Sequence, residues 1–133
     1  VVGTKSDYTA ANGNWTSRRL LLAKDNMGFS FHDTIIRKGC TSTLIWYKNH
    51  LESVYCMQGE GEIEVRQSIQ DHGAVFFVIR VQKGTLYALD KNERHFLRAA
   101  KHTDMHMACV FNPPLTGDED HDSSGAYKAA KKQ

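Results

Sequence analysis

A chain of 133 residues with 41% hydrophobic content has the material for one compact domain and none for a second. Lys plus Arg number 17 against 15 Asp plus Glu, and the cations are scattered apart from a 128–132 tail, so no nucleic-acid partner is expected and a small-molecule partner is. No apolar run approaches the roughly 20 residues of a membrane span, and Val1-Val2-Gly3 does not open a secretory signal; no membrane partner and a cytoplasmic location are expected.

The first apolar run, 15–24, carries Leu20, Leu21 and Leu22 after two arginines and passes into Lys24-Asp25-Asn26-Met27-Gly28, which has turn composition. It is expected to be a strand or a short turn entering one. Residues 29–36 mix aromatic and β-branched side chains in near alternation and are closed by Arg37-Lys38-Gly39, as in a half-buried strand. Further strands are expected at 43–47, 50–57, 62–67, 74–81, 85–89, 96–99 and 106–111, with Gly59-Glu60-Gly61 and Gly84 as turns. No stretch sustains a 3.6-residue period. Many short, evenly spaced strands with little helix predict an all-β fold class, a single small jelly-roll β-barrel. Pro113-Pro114 ends the last strand, and 116–133 is polar, acidic and then basic. The expected organisation is one domain over 1–133, with an N-terminal segment at 1–14 and a C-terminal lid or tail at 116–133 that orders mainly when a ligand supplies partners. Cys40, Cys56 and Cys109 are odd in number and lack zinc-ribbon pairings, so reduced thiols are expected rather than a disulfide framework.

The two-residue period of a strand puts Glu52, Val54 and Cys56 on one face. Glu52 then lies among apolar inward neighbours, where a bare carboxylate costs several kcal/mol unless something pairs with it. A cation is the simplest partner. Tyr87 shares a face with Leu89, and His95 with Leu97, so both can point inward as Glu52 does. Glu52, Tyr87 and His95 together form an oxygen and imidazole set that suits Fe2+, with zinc or manganese as substitutes. The plainer alternatives are an inward tyrosine with a hydrogen-bonded tip and a satisfied core histidine. His50, two residues before Glu52, is the rival ligand, read here as a supporting group. Met107, Cys109 and Phe111 share another face, where core packing accounts for Met107. The run Gly117-Asp118-Glu119-Asp120-His121-Asp122 reads most simply as a solvated loop.

Gly39, Glu52 and Gly59 keep the frame of the first cupin motif, while Trp46, Tyr47 and Lys48 stand where its histidine pair would be. In the second motif Gly84 is followed three residues on by Tyr87 instead of histidine, with a new histidine at His95. Together with Trp15-Thr16-Ser17-Arg18-Arg19-Leu20-Leu21, Gly28-Phe29-Ser30-Phe31-His32, Tyr47-x-Asn49-His50-Leu51-Glu52 and Cys109-Val110-Phe111-Asn112-Pro113-Pro114-Leu115-Thr116-Gly117, these departures closely resemble the ectoine synthase family over about residues 15–127. The 66–83 segment is several residues longer than the family leads one to expect, and the chain opens without the family's usual first strand.

The resemblance implies a hydro-lyase that closes N-γ-acetyl-L-2,4-diaminobutyrate to ectoine with loss of water, with Glu52, Tyr87 and His95 holding the metal. Trp15, Arg18, Thr34, Tyr47, Cys109 and Phe111 match pocket-lining positions, Arg18 among those that can hold the substrate carboxylate. Glu119 and His121 match a lid element that moves protons, and Asp120 beside them is expected to raise the pKa of the less exposed carboxylate. A homodimer joined through edge strands and the N-terminal segment is expected. Two other classes stay open: a metal-dependent cupin dioxygenase, disfavoured by the absent histidine pair, and a non-enzymatic small-molecule-binding cupin in which Glu52, Tyr87 and His95 form a hydrogen-bonded core cluster.

Overall fold

The computed structural model describes residues 6–9, 13–66 and 75–119. Strands run β1 Ser6–Thr9, β2 Trp15–Leu21, β3 Ser30–Ile36, β4 Leu51–Gln58, β5 Glu60–Arg66, β6 Val75–Gln82, β7 Leu86–Leu89, β8 Arg94–Ala99 and β9 Met105–Asn112. Six of them form one antiparallel sheet in the order β1-β2-β3-β9-β4-β7, and three form a second in the order β6-β5-β8. Neighbours in the large sheet are far apart in sequence, β3 beside β9 and β9 beside β4, so residues near 32, 52 and 109 meet on its inner face. Among the described residues no helix is long and apolar enough to cross a membrane.

Strict alternation makes the core. In β4 every second residue from Glu52 to Cys56 is buried, and in β9 every second residue from Met105 to Phe111. Ile36, Val54, Met105, Met107 and Leu115 are essentially inaccessible, the burial expected of a sheet with one face on the core. Gly59 turns β4 into β5 with φ at +83°, and a Cβ there would stand 1.9 Å from the carbonyl oxygen of Asp104. Only glycine meets both demands.

The turn expected after the first strand is a 3-10 turn, Ala23–Asp25, started by the Asp25 carboxylate accepting from the Leu22 amide. Two elements differ from the sequence expectation. A short strand, β1, does precede Trp15 and pairs with β2. The 43–47 stretch is no continuous strand; it touches β8 through a single bridge at Ile45, with another just before it at Thr41. The Ser42 hydroxyl takes the Leu97 amide at 2.9 Å, so a side chain occupies a donor that a regular ladder would give to backbone. Of the long 66–83 segment, β6 pairs along β5, and 67–74 lies outside the described residues.

Candidate active site

Glu52 is carried inward by β4, beside Val54 at 0% exposure. It is 5% exposed itself, and its Oε2 has no hydrogen-bond partner. Burial raises its carboxyl to about 8, only partly offset by a hydrogen bond with the Cys109 thiol. His95, from β8 in the opposite sheet, sets its Nε2 4.0 Å from that same Oε2. The imidazole is oriented from behind: its Nδ1 lies 3.1 Å from the Glu93 carbonyl oxygen, which can only accept, so the proton of the neutral ring sits on Nδ1 and a lone pair at Nε2 turns toward Glu52. Two acceptors facing each other in a dry site call for a proton or a cation between them.

The donor set fits a metal. Ligand bonds of about 2.0–2.2 Å let one cation meet both atoms across the 4.0 Å gap, and the Nδ1-anchored histidine is the usual form of a ligating imidazole. Among the described residues no three His, Cys, Asp or Glu side chains gather at metal-binding separation. The third ligand that the resemblance implies, Tyr87, is buried by β7 at 8% exposure beside Val54. Its hydroxyl now donates to Met107 Sδ at 3.9 Å. Burial first, and the Glu52 charge second, hold that phenol well above its ordinary value. His50, the rival ligand, is engaged elsewhere, its Nδ1 lying 2.8 Å from the Pro113 carbonyl oxygen.

Glu52 opens onto a narrow internal cavity of about 30 Å³, close to the size of one water. Trp15, Thr34, Tyr47, Cys109 and Phe111 line it with Glu52, as do Ser17, His32, Ile36, Ile45 and Leu97. Tyr47 meets Phe111 edge-on at 4.9 Å, and the Cys109 sulfur lies 3.7 Å from Thr34 Oγ1. Asn92 fixes the approach to β4 by donating to the carbonyls of Tyr47 and His50 at 2.7 and 3.3 Å. Two wider hollows of about 380 and 430 Å³ around Glu60 lie on charged outer surface and gather no such set.

Arg18 is not among the lining residues. Trp15 is buried, so the two-residue period sends Ser17 and Arg19 inward and Arg18 outward, where it pairs with Asp33 on the outer face of β3. Arg19 is the inward guanidinium, 4% exposed, and it donates to the carbonyls of Gly117 and Glu119. Glu119 is itself buried, and its carboxylate accepts from the Thr116 amide at 2.7 Å, the Thr116 hydroxyl at 3.0 Å and the Gly117 amide at 2.8 Å. Burial pushes its carboxyl up, but these hydrogen bonds outweigh burial and leave it below the ordinary value. Its carboxylate caps its own loop, and the loop packs on the barrel, with Leu115 fully buried and its amide donating to Ser30 Oγ at 3.1 Å. His121 and Asp120 lie outside the described residues.

Sequence reasoning gave no role to His32, Ser17, Arg19 or Asn92. Strand parity from Trp15 was the available signal for Ser17 and Arg19. Nothing in the sequence marked Asn92, whose contacts span 42 to 45 residues.

Residues 2–131 match the ectoine synthase family model. The L-ectoine synthase of Desulfatibacillum aliphaticivorans is 54% identical over 96% of this chain and 90% of its own length, and that of Wolinella succinogenes 50% identical over 100% and 94%. The crystal structure of ectoine synthase from P. lautus superposes with a TM-score of 0.69 at 52% identity, covering 84% of this chain and 71% of that one. A cupin-2 domain from Rhodospirillum rubrum shares the fold alone, with a TM-score of 0.64 at 17% identity over 84% and 70% of the two chains. With a cupin sandwich, an inward Glu52 set against His95 of the opposite sheet, and a full-length match at this identity, the chain belongs to the ectoine synthase family.

Proposed function

We propose that this chain, a hydro-lyase of the L-ectoine synthase type, closes N-γ-acetyl-L-2,4-diaminobutyrate to ectoine with Fe2+ held by Glu52, Tyr87 and His95, zinc or manganese being possible substitutes. The observation that carries the metal reading is the orphaned, buried Glu52 Oε2 set 4.0 Å from His95 Nε2. When bound there, such an ion supplies Lewis-acid polarisation of the amide carbonyl.

Ring closure forms a bond from the α-nitrogen to the acetyl carbonyl carbon. Two of the three ammonium protons end on the carbonyl oxygen, which departs as water, and a cyclic amidinium remains. The chain's part is to hold a flexible molecule curled and dry, and such positioning is worth roughly 7–11 kcal/mol of barrier in favourable intramolecular cases. Trp15, Tyr47 and Phe111 supply the apolar walls, and Thr34 and Cys109 supply short polar contacts. Glu119, ionised and already capped, is suited to holding the 113–119 segment; His121 remains the candidate for proton transfer. A homodimer joined through edge strands and the N-terminal segment is part of the proposal. Its support is that β1 and β7 edge the large sheet and that Leu86 on β7 is 68% exposed. A reducing, cytoplasmic location is proposed from the unpaired Cys40, Cys56 and Cys109.

The test is incubation of the iron(II)-loaded protein with the acetylated diaminobutyrate, followed by mass spectrometry. Loss of one water is the expected result. Unchanged substrate, or incorporation of oxygen atoms from dioxygen, would overturn the proposal.

A further inference from the structure

His32 is 1% exposed and lines the cavity, and its Nε2 is buried without a hydrogen-bond partner. The ring is held from two sides. Phe111 lies against it at 4.9 Å, and Ser17 Oγ stands 3.5 Å from its Nδ1. Among the described residues that is the one hydrogen bond found for the Ser17 hydroxyl. In the arrangement in which the Ser17 hydroxyl donates to Nδ1, the imidazole proton stands on Nε2. The result is a buried donor with an empty acceptor side at the cavity wall.

Position says which ligand atom would fill it. His32 is directly opposite Arg19 on β2 and Cys109 on β9. Glu52 lies on β4, one strand beyond β9, so it is two strand spacings, about 10 Å, from β3. With the amide carbonyl at the Glu52 end of the cavity, the α-carboxylate is the charged group of the substrate left to face His32 and the positive potential of Arg19. Resting on the ectoine synthase reading, we propose that His32 binds substrate by donating from Nε2 to a carboxylate oxygen, with Ser17 as the residue that sets its tautomer. Burial first and the Arg19 charge second hold His32 down to about 3, against a smaller opposing influence of Glu119, so the ring works as a neutral donor across the whole physiological range.

The experiment compares His32→Phe, His32→Gln and His32→Asn by calorimetric binding and steady-state turnover. Two ligands are used: the acetylated diaminobutyrate and its carboxylate-free counterpart, N-acetyl-1,3-diaminopropane. Phenylalanine keeps the ring shape, glutamine reaches the Nε2 position with an amide donor, and asparagine reaches only the Nδ1 position. His32→Phe is expected to weaken binding and raise KM by about 10- to 100-fold for the carboxylate ligand, the size of a hydrogen bond to a charged group, and by no more than about 2-fold for the counterpart. His32→Gln should recover most of the loss and His32→Asn should not. Ser17→Ala should lose part of the same affinity and shift the ring 15N resonances toward a mixture of tautomers. Equal losses on both ligands, or full rescue by asparagine, would overturn the proposal; so would wild-type affinity in all three variants. Because binding is read apart from turnover, a protein that binds through His32 yet forms no ectoine would sink the assigned reaction and leave this inference standing.

Discussion

Glu52 and Glu119 are two buried carboxylates of one small barrel, and the protein treats them in opposite ways. Glu119 receives two amides and a hydroxyl from its own loop, which leave its carboxyl below the ordinary value. Glu52 has one thiol contact and an orphaned oxygen, and its carboxyl rises to about 8. The two basic partners differ in the same sense. Arg19 donates from its two terminal nitrogens to backbone carbonyls of the Glu119 loop, whereas His95 turns Nε2 toward Glu52. A buried charge that the chain satisfies internally holds structure together, and one that the chain orients and leaves unpaired is built for something that arrives later.

The largest effect is expected at the unpaired end. Glu52→Ala, Tyr87→Ala and His95→Ala should each lose most bound iron and nearly all ring closure with the barrel still folded, as read by elemental analysis, turnover and circular dichroism. His50→Ala should retain iron, because its ring is committed to the Pro113 carbonyl. The reverse pattern, iron kept in His95→Ala and lost in His50→Ala, would exchange the two ligands.

At the satisfied end the effects should be structural first. Arg19→Ala removes the donor from two loop carbonyls and is expected to cost about 2–4 kcal/mol in urea unfolding. Truncation after Gly117 should lower the melting temperature for the same reason. An unchanged melting temperature would return the segment to the role of a lid awaiting substrate. Glu119→Gln is a finer probe. A carboxyl lowered on folding stabilises above its unfolded value, ordinarily 4.5, and that stabilisation is lost as pH falls through the folded value. The variant should therefore be about 1 kcal/mol less stable at pH 7, with the gap closing below pH 4.5, and a gap independent of pH would remove the ionised cap from the account. The smallest effect belongs to Arg18→Ala. Its pair with Asp33 is on the outer face with the arginine 39% exposed, so stability should change by less than about 1 kcal/mol and KM by less than about 2-fold. A large rise in KM would show that the outer face reaches substrate.

Local pattern determined the strands. Alternation in 50–57 and 106–111 is enough to aim Glu52, Cys109 and Phe111 inward, because a pleated strand turns each second side chain to one face whatever it packs against. The same rule, counted from Trp15, sends Arg19 inward and Arg18 to the outer face. The loss of the 43–47 strand to Ser42, and the orientation of His95 by a backbone carbonyl, depend on chain partners that only the fold brings within reach. The pairing of Glu52 with His95 and the capping of the Glu119 loop by Arg19 span 43 and 100 residues by subtraction of their numbers. Which buried charges find partners and which stay unpaired was decided by tertiary structure, since satisfaction is a matter of distance and dryness that no periodicity encodes.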